Sequence, residues 1–479
     1  MSNAWIRIYH RLPQPCRSAA AAVWGFRLRF WRYGPESEQL VTEALQRDYW
    51  QPQQWEKWRA ERLGYVLHRA ATRVPYYREQ WEMRRRRGDR ASWDRLENWP
   101  VLKKEMVRAN PRAFVADDCD PRRMFHDHTS GTTGSPLSVW LNRNTVRAWY
   151  ALFEARCRRW YGVSRFDRWG ILGGRLVTPA DQRKPPFWVW NPALNQLYLS
   201  SYHLAPDLTP YYLEALARYR IQYLLGYTSS LCALAQAALR TGRRSLPLRV
   251  IVTNAEPLLP HQRQMISEAF QCPVRETYGM TEIVAAATEC EWGRLHLWPE
   301  AGRVEILEHD NPVQPGACGD IVATGLLNAD MPLIRYTTGD RGALAANNIP
   351  CSCGRLLPVL ASVDGRADDL LYAADGRQIG RMDPVFKSDL AVREAQIIQE
   401  TLGTVRVRYV PAAGFTDRSA NTIIEAIRSR LGPVEVLLES VPQLPREPNG
   451  KFRAVICRIP PEQRPDGQRC GSELTSTLV

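Results

Sequence analysis

Between about residue 120 and residue 360 the chain repeats one pattern: a short apolar run closed by glycine or polar residues, then longer stretches with apolar side chains at helical spacing. RWGILGG, IQYLLGY, LRVIVTNAE, RVEILE and DIVATGL are the short runs, and each has the length and bounding residues of a strand. SLCALAQAALRTG and LPHQRQMISEAF fall between some of them and predict helices. Strands alternating with helices give an α/β fold. The 17 Trp and 34 Pro argue against a coiled coil or a disordered chain, and no fixed-period repeat is visible.

The flanks differ from this centre. Residues 36–115 place apolar and charged residues at helical spacing, as in EKWRAERLGYVLHRAATRV, and predict a helical lead-in with RRRRGDR as a solvated turn. After ASVDGRADDLL, the strands TVRVRYV and VEVLLESV surround the helix TDRSANTIIEAIRSRLG, which predicts a small α+β domain. The expected division is a basic N-terminal arm (1–35), a large domain (36–363), a small domain (364–460) and a disordered polar tail (461–479).

The net charge of +14 is uneven: residues 1–115 carry 23 basic against 12 acidic side chains, an excess of 11. A nucleic-acid-binding face would distribute its charge differently, so nucleic acid is not expected as a partner. Residues 5–34 hold six Arg, three Trp and no acid; this arm either lies on an anionic membrane surface or is a solvated or packed helix. No apolar run of about 18 residues exists, and the alanines at 19–22 lack the length of a secretory segment, so a cytoplasmic location is expected, membrane-peripheral if the arm binds lipid. Eleven scattered Cys fit reduced thiols.

TSGTTGSP, residues 129–136, is a loop nearly without side-chain bulk. Such a loop lets backbone amides approach an anion while the hydroxyls donate further hydrogen bonds, as a polyphosphate requires, although many surface turns share that composition. VTNAEPL (252–258), ETYGMTE (276–282), LIRYTTGD (333–340), DGRADD (364–369) and PREPNGKFR (445–453) follow it in order. Over roughly residues 60–455 this succession resembles the AMP-forming adenylate superfamily, and RVPYYRE and VLKKEMVRANP resemble its phenylacetate–CoA ligase branch with its capsular-polysaccharide, CapK-like relatives. The loop departs from the wider superfamily by having Leu137 where a lysine usually follows the proline.

The resemblance implies ATP-dependent activation of a carboxylic acid to an acyl-adenylate, with Mg²⁺, and then transfer to a thiol. Thr129, Ser130, Gly131, Thr132, Thr133 and Gly134 would cradle the β- and γ-phosphates. Tyr278, with Gly279, would stack on adenine, Thr281 would contact the α-phosphate, and Glu282 would hold Mg²⁺ as a hard oxygen ligand. Asp340 would accept both ribose hydroxyls, and Arg366 would add a charge-assisted contact. Lys451 would bridge carboxylate and α-phosphate from a small domain rotating about Asp368. Gly226, Tyr227, Ala255 and Glu256 would line the acid pocket, and the nearby FWVW run suggests an aromatic acid unless it simply fills core.

The acceptor is expected to be coenzyme A. LYAADGRQIG carries its glycine late, however, as in the polysaccharide-associated relatives, so a carrier protein or amine, or an adenylyltransferase that stops at AMP transfer, stands as the alternative. A non-catalytic nucleotide-binding protein recruited to membranes is a third. Cys290, His296, Cys351 and Cys353 match a closed tetrahedral Zn²⁺ site, against three reduced thiols and a surface His. The acid itself, and whether the chain is a monomer or a homodimer, stay open.

Overall fold

The computed structural model describes residues 8–129, 137–175, 177–179, 181–205, 207–242, 246–256, 258, 260–308, 310–346, 350–363, 371–379, 382, 385, 390–442, 444, 455–460, 463 and 464. Ser130, Gly131, Thr132, Thr133, Gly134, Arg366, Asp368, Lys451 and nearly all of the predicted tail lie outside the described residues.

The alternating pattern becomes one large sheet. After an antiparallel hairpin of β1 (Phe125–His128) and β2 (Ser138–Leu141) come β3 (Trp169–Gly173), β4 (Trp188–Asn191), β5 (Gln196–Ser200), β6 (Tyr223–Tyr227), β7 (Val250–Asn254) and β8 (Val274–Gly279). Then follow β9 (Ala286–Glu289), β10 (Leu295–Leu297), β11 (Gly302–Glu308), β12 (Asn311–Pro312), β13 (Gly319–Gly325), β14 (Tyr336–Leu344) and β15 (Val359–Val363). Their order is β12-β11-β13-β14-β15-β10-β9-β8-β7-β6-β3-β5-β4, with β8, β7, β6, β3 and β5 parallel and the remaining pairs antiparallel. The runs read as strands from sequence are β3, β6, β7, β11 and β13.

Five helices precede or flank β1: α1 (Gln14–Arg32), α2 (Ser37–Arg47), α3 (Pro52–Arg73), α4 (Pro75–Arg86) and the short α5 (Lys104–Ala109). Next come α6 (Arg143–Cys157), α7 (Thr209–Arg218), α8 (Thr228–Thr241) and α9 (Pro260–Phe270). α7, α8 and α9 bury Leu213, Leu216, Leu234, Ala238 and Phe270 against Leu197, Leu224 and Ile251 of the parallel block. Past residue 370, β16 (Leu371–Tyr372) and β17 (Gln378–Ile379) form a hairpin. β18 (Val392–Gln399), β19 (Thr404–Pro411), β20 (Glu435–Ser440) and β21 (Val455–Cys457) make a separate sheet in the order β20-β19-β18-β21. The helix α10 (Asp417–Leu431) buries Ile423 and Ile427 against Ile397, Val405 and Val407 of that sheet, completing the expected small α+β unit.

RRRRGDR is more than a solvated turn: Arg84, Arg85 and Arg86 finish α4, and Gly88 turns the chain at φ 81°. Arg84 pairs with Asp89 at 2.6 Å and donates to the carbonyl of Asn98, and Arg85 donates to the carbonyl of Asp89 at 2.7 Å, so two of these charges fix the following loop. In FWVW, Phe187 and Trp188 are buried, Phe187 stacking on Tyr212 with ring centres 5.7 Å apart. That run fills core.

A buried ion network joins the lead-in to the sheet. The Arg156 guanidinium of α6 has no exposed surface and donates to Asp48 Oδ1 at 2.9 Å and to Glu300 Oε2 and Oε1 at 2.8 and 3.0 Å. Arg47 donates to Glu300 Oε1 at 2.9 Å, and Trp160 Nε1 to Asp48 Oδ2 at 2.8 Å. Burial pushes both carboxyls up; around Glu300 the two arginines outweigh it and hold that group below its usual range, whereas Asp48 stays raised. Removing the cation strands two buried anions, a costlier loss than the net worth of the pair.

Arg156→Met is expected to lower unfolding free energy by about 3–5 kcal/mol in urea titrations near neutral pH. With the cation gone, both carboxyls rise in the folded state, so the deficit should shrink as pH falls through those raised values. A deficit that is small, or that does not change with pH, would show that the network does not carry this joint.

Candidate active site

The parallel ladder between β7 and β8 lasts three pairs, Ile251–Val274, Val252–Arg275 and Thr253–Glu276. Beyond it β8 pairs with β9 instead, Thr277 facing Thr288, Tyr278 facing Ala287 and Gly279 facing Ala286. The Thr277 hydroxyl donates to the Thr253 carbonyl at 2.7 Å, the last link between the two strands before they part. Carboxyl ends of parallel strands are where open α/β sheets leave their crevices.

Gly226 and Tyr227 end β6, Ala255 and Glu256 follow β7, and Tyr278 and Gly279 end β8, so these sequence-predicted residues share one edge of the sheet. Gly226 is tightly enclosed: a Cβ there would lie 3.0 Å from Leu172 Cβ and 3.1 Å from its carbonyl oxygen. Ala255 turns the chain away from the sheet at φ 65°, in the left-handed region that costs an alanine free energy. Its neighbour Glu256 accepts from the Ser229 amide at 2.8 Å and the Ser229 hydroxyl at 3.1 Å. A carboxylate at the first turn of α8 meets exposed helix N–H groups and the positive end of the helix dipole.

Two of the motifs are bonded side chain to side chain. The Tyr278 hydroxyl donates to Asp340 Oδ2 at 3.0 Å, and the Tyr336 hydroxyl donates to Glu282 Oε1 at 2.7 Å, so ETYGMTE and LIRYTTGD cross-link twice. Glu282 is buried and also meets the Lys104 ammonium at 2.8 Å. Burial pushes the Glu282 carboxyl up, but Lys104 and Tyr336 outweigh it and hold the group below the usual carboxylate range, ionised at neutral pH. Lys104 opens α5, where the helix dipole disfavours a cation; the buried anion offsets that. The chain before it lies along β14, the Leu102 amide donating to the Arg335 carbonyl at 2.8 Å and the Thr337 amide to the Leu102 carbonyl at 2.9 Å. Thr281, half-buried, sits beside Glu282.

TSGTTGSP connects β1 to β2. Its first residue, Thr129, is buried and is bonded to Leu137 both ways: the Thr129 amide donates to the Leu137 carbonyl at 2.9 Å, and the Leu137 amide to Thr129 Oγ1 at 2.9 Å. The two ends of the loop are thereby pinned together.

Cys290, His296, Cys351 and Cys353 converge as the sequence suggested, all four ligand atoms lying within 4.8 Å of one another. Cys290 Sγ is 3.6 Å from Cys351 Sγ, and Cys353 Sγ is 3.4 Å from His296 Nε2. His296 Nδ1 lies 3.2 Å from the Leu357 carbonyl, which can only accept, so Nδ1 carries the proton and Nε2 presents its lone pair to the thiols. Burial lowers His296 to about 4 and pushes Cys290 up to about 12. A neutral imidazole with three sulfurs at these separations fits a tetrahedral thiophilic cation.

The sequence reading missed Lys104, Tyr336 and Ser229. Tyr336 lies inside a motif already singled out and could have been found there. Lys104 and Ser229 carry no local signal, being brought to Glu282 and Glu256 from 178 and 27 residues away by the fold.

Among known proteins, residues 56–330 match the AMP-binding enzyme family and residues 371–458 match the CapK C-terminal domain. The chain is 27% identical to protein CapK of Staphylococcus aureus over 75% of its own length and 80% of that protein. It is 25% identical to a phenylacetate-coenzyme A ligase of Thermus thermophilus over 71% of this chain and 74% of that one. Its fold is that of a 2-hydroxyisobutyryl-CoA ligase crystallised with 2-HIB-AMP and CoA in the thioesterification state, with a TM-score of 0.55 at 20% identity covering 86% of this chain and 91% of that one. With more than half of its length matched, the chain belongs to the AMP-binding enzyme family.

Proposed function

We propose that this protein activates a carboxylic acid with ATP and passes the acyl group to coenzyme A. The observation that carries the reading is the double cross-link between ETYGMTE and LIRYTTGD, Tyr278 to Asp340 and Tyr336 to Glu282, at the carboxyl edge of the parallel strands. In the first half-reaction a carboxylate oxygen attacks the α-phosphorus as the bond to pyrophosphate breaks. In the second a thiolate attacks the acyl carbonyl, and AMP leaves with its bonding electron pair. Negative charge has to be met on phosphate oxygens in both.

The chain's residues divide that work. The ring of Tyr278 packs against adenine, and its hydroxyl orients the Asp340 carboxylate toward the ribose hydroxyls. Thr129 to Gly134 hold the β- and γ-phosphates, Thr281 meets the α-phosphate, and Arg366 and Lys451 bring positive charge, Lys451 from the small domain as it turns about Asp368. Gly226 and Tyr227 border the acid. Glu282 offers the single ionised carboxylate by which Mg²⁺ is commonly held together with substrate phosphates, and there the cation would neutralise phosphate charge. Lys104 balances Glu282 until then.

The Cys290–His296–Cys351–Cys353 cluster is read as a structural zinc site, since four protein ligands leave no position for substrate. The late glycine of LYAADGRQIG is the observation behind a second reading of the acceptor, a carrier protein or amine in place of coenzyme A. Acid-dependent AMP release that is indifferent to coenzyme A would select it.

Lys451→Ala should cut acid-dependent pyrophosphate exchange about a hundredfold or more while thioester formation from supplied acyl-adenylate changes far less; near-normal exchange removes the residue from its role. In Lys104→Met, burial acts on Glu282 without its cation, so its carboxyl rises and the acid limb of the pyrophosphate-release profile should move to higher pH by about 1 unit or more. An unmoved limb would separate Glu282 from catalysis. Protein purified without chelator should contain close to one zinc per chain by elemental analysis, and Cys353→Ser should lose it together with several degrees of Tm. Only traces of zinc would defeat the assignment.

A further inference from the structure

The large apolar side chains exposed near the start of the described chain are Ile8, Val23, Phe26 and Phe30, and the last three lie on α1. At three and four residues apart they form one stripe, 72%, 59% and 54% exposed, on the side of the helix opposite buried Arg17, Gly25 and Leu28. The inner face is firmly seated. A Cβ on Gly25 would come within 2.0 Å of Asn191 Oδ1, and Arg17 donates to Thr178 Oγ1 at 3.2 Å. The helix is therefore docked on the sheet by one face and presents phenylalanines outward on the other.

The stripe is bordered by positive charge. Arg27 and Arg29 are exposed on α1, and Arg143 of α6 lies over the Phe30 ring at 4.0 Å. The first acidic residue of the chain is Glu36, beyond the helix. We propose that this face is a docking surface for the anionic leaflet of a lipid bilayer, with Val23, Phe26 and Phe30 entering the acyl boundary and the three arginines meeting lipid phosphates. Charge complementarity selects this occupant over a second copy, because apposing two such faces would bring the Arg27, Arg29 and Arg143 charges of the copies together. Among the described residues no helix is long and apolar enough to cross a membrane, so the contact is peripheral. It does not depend on the reaction assigned above.

The full chain should be floated with vesicles of phosphatidylcholine alone and with about one third phosphatidylglycerol, at about 0.1 M and about 0.5 M salt. Binding is expected to the anionic vesicles only and to weaken at high salt. Phe26→Ser with Phe30→Ser, and separately Arg27→Gln with Arg29→Gln, should each cut it about tenfold or more at unchanged Tm. Absence of binding to anionic vesicles, or binding that survives both double variants, overturns the proposal. So does a concentration-dependent dimer in sedimentation that Phe26→Ser with Phe30→Ser abolishes, since a second copy would then cover the face; should those serines lower Tm, Val23→Asp applies the same test at one exposed position.

Discussion

The parting of β8 from β7 after the Thr253–Glu276 pair is the constraint on which the candidate site depends. A strand that kept both neighbours to its end would close the carboxyl edge with ladder hydrogen bonds. Here β8 changes partner halfway, pairing with β7 by its first three residues and with antiparallel β9 by its last three. Tyr278 and Gly279 thus pair with β9 and no longer with β7. The sheet also changes there from a parallel block buried under helices to an antiparallel half, so one strand end faces both architectures.

A site at such a seam needs its two sides held in register, and the helical lead-in supplies much of the hold. Leu102 bonds along β14 and delivers Lys104 to Glu282, while Asp48, just past α2, anchors Arg156 and Trp160. The same Asp48 accepts at its carbonyl from the Leu356 amide at 2.8 Å, and the Trp160 ring stands edge-on to His296 at 6.0 Å. The lead-in is in this way continuous with the buried Arg156 network and with the Cys/His cluster. Long-range ionic contacts of this sort have no meaning until the sheet exists, which makes them consequences of the fold as much as causes.

That distinction explains what could be read in the sequence. The strands β3, β6, β7, β11, β13, β19 and β20 were legible because each is an apolar run of strand length between turn residues. Helices α3 and α10 were legible from their apolar spacing, and the convergence of Cys290, His296, Cys351 and Cys353 from residue type. Lys104 was not, because LKKEM has the composition of any solvated helix start and its partner lies 178 residues on. FWVW suggested a pocket by composition alone; aromatic residues are enriched in cores and in sites for the same reason, their large apolar area, so only placement separates the two. RRRRGDR is the exposed turn expected, but the bonds of Arg84 and Arg85 to carbonyls of the following loop were not legible, because a guanidinium can cap such carbonyls without any local signal.

The Cys/His cluster bears on the proposed swing of the small domain. It ties the turn after β9 and the strand β10 to the loop at Cys351 and Cys353, and that loop leads into β15, which ends at Val363. The next residues carry Asp368, the proposed pivot. A rotation converts binding energy into a defined new geometry only if its base does not yield, because any give at the base spreads the position of the distant lysine over a wider volume and lowers its effective concentration at the carboxylate. Four ligands drawn from two stretches of chain, the Cys290–His296 segment and the Cys351–Cys353 loop, would be a compact way to stiffen such a base. On that reading a metal held there would contribute nothing to the chemistry, and its effect on turnover would run through how sharply the root of the small domain is fixed.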